Sequence, residues 1–490
     1  MQVSKPTMTF EEFEQLPKIQ RRELFNRLIG LIDEVAVLRV EVNELKAQIA
    51  KSSSNSSKPP SSDGLKKSLR TQSNRTSSGK KPGGQSGRKG ASLKQIDHPD
   101  FTIGHQPLEC RSCGKSLEDE APIQTEERQV FDLPELKVLV TAHIASTKRC
   151  ACGALTCGSF PAGVAAPVQY GANVQSIATY MSAYQFVPYA RLAEFFSDIF
   201  GIALSPATAM RMIATSAASV ESTVDAIKRA VIASALAHFD ETGLRCEKKL
   251  MWLHSASNEL HTHYAVSLRR GKEAMDEIGI LPLFKGKAVH DAWAPYFSYL
   301  CGHFLCNAHH LRELRFIHEE YGETWAKRMS DLLMHIKSAV DRSKERDGTK
   351  LKQVQLRRFG LRYQAIITAG RKHHARLSNL ESAPPRRRGR IARPKGKNLL
   401  ERLQNGWHQA LGFMYDFSVP FTNNLAERDI RMQKVKEKIS GCFRTLGGAQ
   451  NFALLRSYMS TARKQGHCVL TALKLAVINQ PLTLGAAAGT

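Results

Sequence analysis

The chain has 490 residues, 42% hydrophobic and 7% aromatic, with 70 Lys or Arg against 45 Asp or Glu and a formal net charge of +25. That length exceeds one small core and calls for about three domains, while so basic a balance favours a polyanionic partner. No apolar run approaches the roughly 18 residues of a membrane span, and Met1–Pro6 has no apolar core, so neither a membrane span nor a secretory signal is expected, and the protein is expected to be cytoplasmic and nucleoid-associated.

Residues 24 to 49 repeat in heptads: Leu28, Val35, Val42 and Ile49 hold one position, Leu24, Leu31, Leu38 and Leu45 the other. This predicts an N-terminal coiled coil over about 1–50 and self-association; the plain alternative is one amphipathic helix packed on its own protein. Residues 51–98 then form a basic linker, with ten Lys or Arg and one Asp between 51 and 90, a local net charge of +9. Such a segment buries no core and is expected to be disordered alone. Lys80, Lys81, Arg88 and Lys89 are its candidate phosphate contacts, gained through counterion release.

Five of the ten cysteines fall between Cys110 and Cys157, which suggests a metal site in a reducing compartment more than a disulfide framework. Cys110-Arg111-Ser112-Cys113 and Cys150-Ala151-Cys152 offer two thiolate pairs to one tetrahedral Zn²⁺, predicting a small zinc-binding module over 99–165 with a hairpin that includes Val130–Leu133. The second pair is one residue tighter than usual, so Cys157 or His105 can replace a ligand.

Residues 166–230 read as helical, with Arg191–Ile202 and a helix opened by Ser205 and Pro206 resembling a helix-turn-helix or an ordinary helical hairpin. From 231 to 440 the pattern alternates: a strand ending at Asp240 and a Gly243 turn, strands over Leu250–Ser255 and His263–Leu268, a helix over Lys272–Ile278, a strand to His290, and an apolar stretch at Phe304–Cys306. This order matches a ribonuclease-H-like layer, interrupted by a helical insertion at about 311–415. Arg386, Arg387 and Arg388 open a run of seven basic residues to Lys397 with no acid, a second candidate phosphate-contacting loop. Residues 441–490 form a C-terminal region.

Three carboxylates stand out as candidate metal ligands. Asp240 and Asp291 each follow a short apolar run, and Glu427 lies in the first turn of a helix that Asn423 can cap. Two aspartates at strand ends and a helical glutamate can converge on a pair of Mg²⁺ ions, which prefer oxygen ligands. The plain alternative is a turn cap, a helix start and a surface ion pair. Strand alternation points Glu241 away from Asp240, and Asp429 sits about 200° around the helix from Glu427. Cys306, His309 and His310 also suggest a soft metal site, although core packing for Cys306 and positioning or proton transfer for a histidine fit better.

The stretches His238-Phe239-Asp240-Glu241-Thr242-Gly243, Arg270-Gly271-Lys272-Glu273-Ala274-Met275 and Val289-His290-Asp291-Ala292-Trp293 resemble the insertion-sequence-66 family of bacterial transposases. So do Cys306-Asn307-Ala308-His309-His310-Leu311-Arg312-Glu313-Leu314, Asn423-Asn424-Leu425-Ala426-Glu427-Arg428, the arm Asn55–Asp63 and the Gly-Gly-Gln segment at Gly83. The similarity runs in order along nearly the whole chain. It implies a multidomain α/β protein: an N-terminal helical region, a zinc-binding module, and a ribonuclease-H-like DDE catalytic domain with a helical insertion. The family's triad falls on Asp240, Asp291 and Glu427.

The reading that follows is a DNA transposase binding the terminal inverted repeats of its own element as a homo-oligomer, with two Mg²⁺ per active site, Zn²⁺ in the module, and accessory proteins as further partners. Water frees a 3′-hydroxyl, which then attacks double-stranded target DNA. The rivals are a non-enzymatic DNA-binding repressor derived from a transposase, and a nuclease that hydrolyses without joining.

Overall fold

The computed structural model describes residues 9–51, 55, 93–380 and 394–484. The chain divides into two units, one of Met1–Thr71, Ala162–Leu192 and Ser205–Thr490, the other of Gln72–Pro161 and Ala193–Leu204.

The first unit opens with α1 (Phe10–Gln15), where Thr9 and Glu12 form a reciprocal capping box. A 32-residue helix follows, α2 (Lys18–Ile49). Its heptad residues Leu24, Leu28, Leu31, Val35, Leu38, Val42, Leu45 and Ile49 are all exposed, from 38% to 80%. Near its C-terminal end Ala47 is buried in the helical core described below.

In the second unit β1 (Thr147–Arg149) pairs antiparallel with β2 (Leu155–Cys157). The tip between them is a knuckle: Cys150 N–H donates to the Ala154 carbonyl at 2.8 Å, and Gly153 N–H to the Cys150 carbonyl at 2.9 Å. A second knuckle repeats the pattern, with Cys110 N–H on the Lys115 carbonyl at 2.8 Å and Gly114 N–H on the Cys110 carbonyl at 2.9 Å. Gly153 and Gly114 have φ of 89° and 73°, the left-handed conformation that a side chain resists. Val130–Leu133, expected within a hairpin, carries no strand pairing.

Back in the first unit, α3 (Ala172–Thr179) runs into a π-turn at Tyr180–Tyr184. Then come α4 (Tyr189–Phe200), which crosses into the second unit, α5 (Pro206–Ala218) and α6 (Glu221–Ile232). Ser205 caps α5, its hydroxyl accepting from Thr208 N–H at 3.1 Å, with Pro206 at the first position as expected.

The sheet contains β3 (Leu236–Cys246), β4 (Lys249–Ser257) and β5 (Thr262–Ser267), then α7 (Lys272–Ile278), β6 (Lys287–His290) and β7 (Gly302–Leu305). Their order is β5-β4-β3-β6-β7; β4 pairs antiparallel with both β3 and β5, and β6 and β7 run parallel to β3. A helical run follows: α8 (Asn307–Tyr321), α9 (Thr324–Lys344), α10 (Gln353–Leu380), α11 (Lys395–Asn405) and α12 (Trp407–Tyr415). The chain returns to the sheet with α13 (Asn424–Ser440) and α14 (Leu446–Lys464), and α15 (Val469–Val477) follows against α3 and α14.

Alternation along β3 sorts its two faces. Leu244 joins Leu253, Tyr264, Ile430 and Phe452 under α13 and α14, whereas Ala237 and Phe239 join Met275, Phe284, Ala288 and Tyr296 on the other side. The helical run from α8 to α12 has its own core around Leu314, Met329, Leu333, Ile336 and Tyr363, and α3, α5 and α6 pack on α14 and α15 through Ile213, Val224, Tyr458 and Leu473.

One expectation is corrected here. β3 does not stop at Asp240 but continues to Cys246, so Asp240 is mid-strand. The hairpin turn falls at Glu247 and Lys248, both left-handed with φ of 51° and 64°. Gly243 serves the ladder instead, since a Cβ there would meet Leu250 Cδ1 at 3.0 Å.

Candidate active site

Asp240 and Asp291 are brought side by side by strand register. The last β3–β6 pair is His238 with Val289, and each aspartate lies two residues further along its own strand direction. Asp240 Oδ1 accepts the Glu241 N–H at 2.9 Å, and Asp291 Oδ1 accepts the Trp293 N–H at 2.9 Å, closing a local turn at the end of β6.

Glu427 arrives from α13, in its first turn as expected. The reason for its position differs from the expected cap. Asn423 stands before α13, yet its side chain makes no cap bond to that helix. It reaches β3 instead: Nδ2 donates to the Phe239 carbonyl at 2.8 Å and Oδ1 meets His238 Nδ1 at 2.8 Å. An amide oxygen only accepts, so His238 carries its proton on Nδ1. The Asn423 backbone N–H donates to Cys306 Sγ at 3.1 Å. Asn423 is 2% exposed, and it joins β3, the start of α8 and the start of α13 at one point.

The electrostatics follow from this convergence. Burial first, then the charges of Glu241, Asp291 and Glu427, hold the Asp240 carboxyl well above the usual carboxylate range. Glu241 has the same sign but a different neighbourhood. Its side chain is 2% exposed and paired with Arg270 at 2.7 Å, and the Tyr296 hydroxyl donates to it. Arg270 is itself held between the rings of Trp252 and Trp293, at 4.9 and 4.0 Å. Glu241 is therefore committed to a cation, and Asp240 is not. Asp429 is likewise spent on Lys464 at 2.7 Å and Thr262 Oγ1 at 3.2 Å.

Three further side chains border Glu427. Arg312 Nη2 is 3.5 Å from its Oε1, His309 Nε2 is 3.8 Å away, and Cys306 Sγ 3.8 Å. Burial and the Glu427 charge push the Cys306 thiol up to about 12. Sequence reasoning raised a soft metal site at Cys306, His309 and His310 but preferred core packing for Cys306; in the structure Cys306 and His309 come together with Glu427, which the sequence did not join to them.

The structure keeps the candidate zinc ligands as two separate pairs. Cys110 and Cys113 share one knuckle, and Cys150 and Cys152 the other; among the described residues no three of them lie within 4.8 Å of one another. Backbone N–H groups of Ser112 and Cys113 pull the Cys110 thiol below its usual range, and that of Cys152 does so for Cys150. Cys157 ends β2, and His105 is exposed. The candidate phosphate contacts Lys80, Lys81, Arg88, Lys89, Arg386, Arg387 and Arg388 lie outside the described residues.

A basic surface that sequence reasoning missed is α10. Its 28 residues contain Arg357, Arg358, Arg362, Arg371, Lys372 and Arg376, all exposed, and no acid. At 100° per residue Arg358, Arg362, Lys372 and Arg376 fall within about 80° of one another, a stripe about 27 Å long. Counting charge over the helix would have found it.

Against known families, residues 167–451 match the model described as the transposase IS66 family. Residues 14–94 match a family of unknown function (DUF6444). No curated protein matches the chain. With more than half of its length under the first of these models, and with the sheet, Asp240, Asp291 and Glu427 inside that span, the chain belongs to the transposase IS66 family.

Proposed function

We propose that this protein is a DNA transposase that cleaves the ends of its element and joins them to target DNA, using Asp240, Asp291 and Glu427. The observation that carries this reading is geometric: the parallel β3–β6 register sets Asp240 and Asp291 side by side, and the Asn423 bond to Phe239 seats the helix of Glu427 beside them, where burial and the neighbouring anions raise the Asp240 carboxyl. Ionised together, these acids repel; a divalent cation relieves that repulsion, so the donor set fits a hard ion. Bound Mg²⁺ there would supply activation of an attacking oxygen and neutralisation of a leaving one. The protein's own part is positioning: β3 and β6 fix two carboxylates, and Asn423 seats the helix bearing the third. The strand order, three antiparallel strands followed by two parallel ones, supports a ribonuclease-H-like catalytic domain, and the helices from α8 to α12 after its last strand support a helical insertion.

The two knuckles support a zinc module, since each presents a thiol pair with backbone N–H groups that favour the thiolate. The acid-free face of α10 supports a nucleic-acid partner.

The test is Mg²⁺-dependent cleavage and joining of labelled DNA carrying the element's ends, comparing the native chain with Glu427→Gln. Loss of both reactions in the variant, with end binding intact, is the expected result. Full activity in the variant removes Glu427 from the mechanism, and hydrolysis without joined product favours a nuclease.

Self-association through α2 is supported by its exposed heptad seam. Leu31→Asp with Leu38→Asp should convert an oligomer to a monomer by light scattering, leaving the far-ultraviolet spectrum of the remaining domains in place. An unchanged mass would assign assembly to another surface.

A further inference from the structure

Cys306, His309 and Glu427 are the three ligand-type side chains that, among the described residues, come within 4.8 Å of one another. Cys306 immediately precedes α8 and His309 lies in its first turn, while Glu427 enters from the first turn of α13. Cys306 is 1% exposed, and its sulfur already accepts the Asn423 N–H, the kind of bond that steadies a thiolate ligand. The His309 ring points Nε2 at Glu427, and its Nδ1 is buried with no hydrogen-bond partner.

The separations suit one ion. Bonds of about 2.3 Å to sulfur and 2.0–2.1 Å to nitrogen or oxygen give tetrahedral edges of roughly 3.3–3.6 Å. Cys306 Sγ and His309 Nε2 each stand 3.8 Å from Glu427 Oε1, a few tenths beyond those edges. One sulfur, one nitrogen and one oxygen donor do not suit Mg²⁺ or Ca²⁺, which take oxygen, but do suit a borderline thiophilic ion.

We propose that Cys306, His309 and Glu427 form a three-ligand site for Zn²⁺ or a similar thiophilic divalent ion, and that its occupation withdraws Glu427 from Asp240 and Asp291. On binding, the thiol gives up its proton to solvent as the sulfur–metal bond forms. Arg312, 3.5 Å from Glu427, balances the carboxylate when no ion is there and must release it when one binds. The inhibitory half of this assignment rests on the transposase reading; the binding half does not.

The experiment uses the full chain stripped by chelator, then dialysed against Zn²⁺ alone and analysed for zinc per chain. The native protein is expected to hold one equivalent more than Cys306→Ser, with the knuckle cysteines as a common background. His309→Gln is the second variant, in case the buried serine impairs folding. Loss of one ligand should weaken binding at this site by more than the roughly 10–100-fold that loss of an outer partner costs. Equal zinc content in native protein and both variants overturns the site. Each protein's end cleavage in Mg²⁺ is then measured with and without added Zn²⁺. Zinc should suppress the native reaction and leave the ratio for the variants near unity. Equal suppression in all three overturns the inhibitory role. An extra zinc equivalent with no cleavage by any protein keeps the site and removes the transposase reading instead.

Discussion

Asp240→Asn is expected to abolish end cleavage and joining while making the metal-free protein more stable near neutral pH. Removing one ligand of a charge-stabilising site costs on the order of a hundred- to a thousandfold in rate even when the site survives, and here the substituted group is also the one on which the other anions bear. The stability effect has the opposite sign for the same reason. The folded-state carboxyl is raised above its unfolded value, so the folded protein binds the proton more tightly. Stability is therefore greatest below the unfolded carboxylate range, near 4, and falls as pH rises from there through the raised folded value. The native protein at neutral pH carries that cost, and the Asn variant does not. Each kcal/mol relieved is worth a few degrees of melting temperature, about 2–4 °C for a domain of 150–250 residues. Calorimetry with and without Mg²⁺ checks it: the native melting temperature should rise on adding the ion, and that of the variant should start higher and respond less. A variant that melts lower in both conditions would show that Asp240 is held for structural reasons.

The second large effect concerns the α10 stripe. Changing Arg358, Arg362, Lys372 and Arg376 together to Gln should lower the slope of log affinity against log salt by about 4, close to one for each phosphate no longer neutralised. At near-physiological salt this amounts to about a thousandfold weaker DNA binding, spread evenly over specific and unrelated sequences. All four side chains are exposed, so the fold should persist. An unchanged slope would take α10 off the DNA surface and leave grip to other basic segments.

Local chemistry was legible wherever neighbours in sequence decide the outcome. The helix at Lys272–Ile278 has the expected bounds because Gly279 ends it in a left-handed conformation, with φ of 71°. The cysteine pairs were readable from their spacing; that Gly114 and Gly153 turn each knuckle in a left-handed conformation was also there to be read and was not used. The end of β3 was not, because Gly243 invites a turn, whereas the real turn uses Glu247 and Lys248, residues with no special claim on positive φ. Asn423 shows a subtler limit. Its place before the helix of Glu427 was legible, but its partners in β3 lie 184 and 185 residues away, and no local pattern reports them. Glu241 and Asp240 were separable from alternation alone, whereas the Arg270, Trp252 and Trp293 stack that fixes Glu241 was not.

The return of the chain at Asn423 also bears on how the protein tolerates change. Among the described residues, the helices from Asn307 to Tyr415 form a detour between the last strand and the third carboxylate's helix, with a core largely its own. Closing a longer or shorter detour costs little, since closure entropy grows only with the logarithm of its length. What must persist is the clasp itself, one buried asparagine that donates two hydrogen bonds and accepts a third. Length variation among such chains should therefore collect far from this residue, and the reach of the enzyme over its DNA can be retailored while the carboxylates stay where they are.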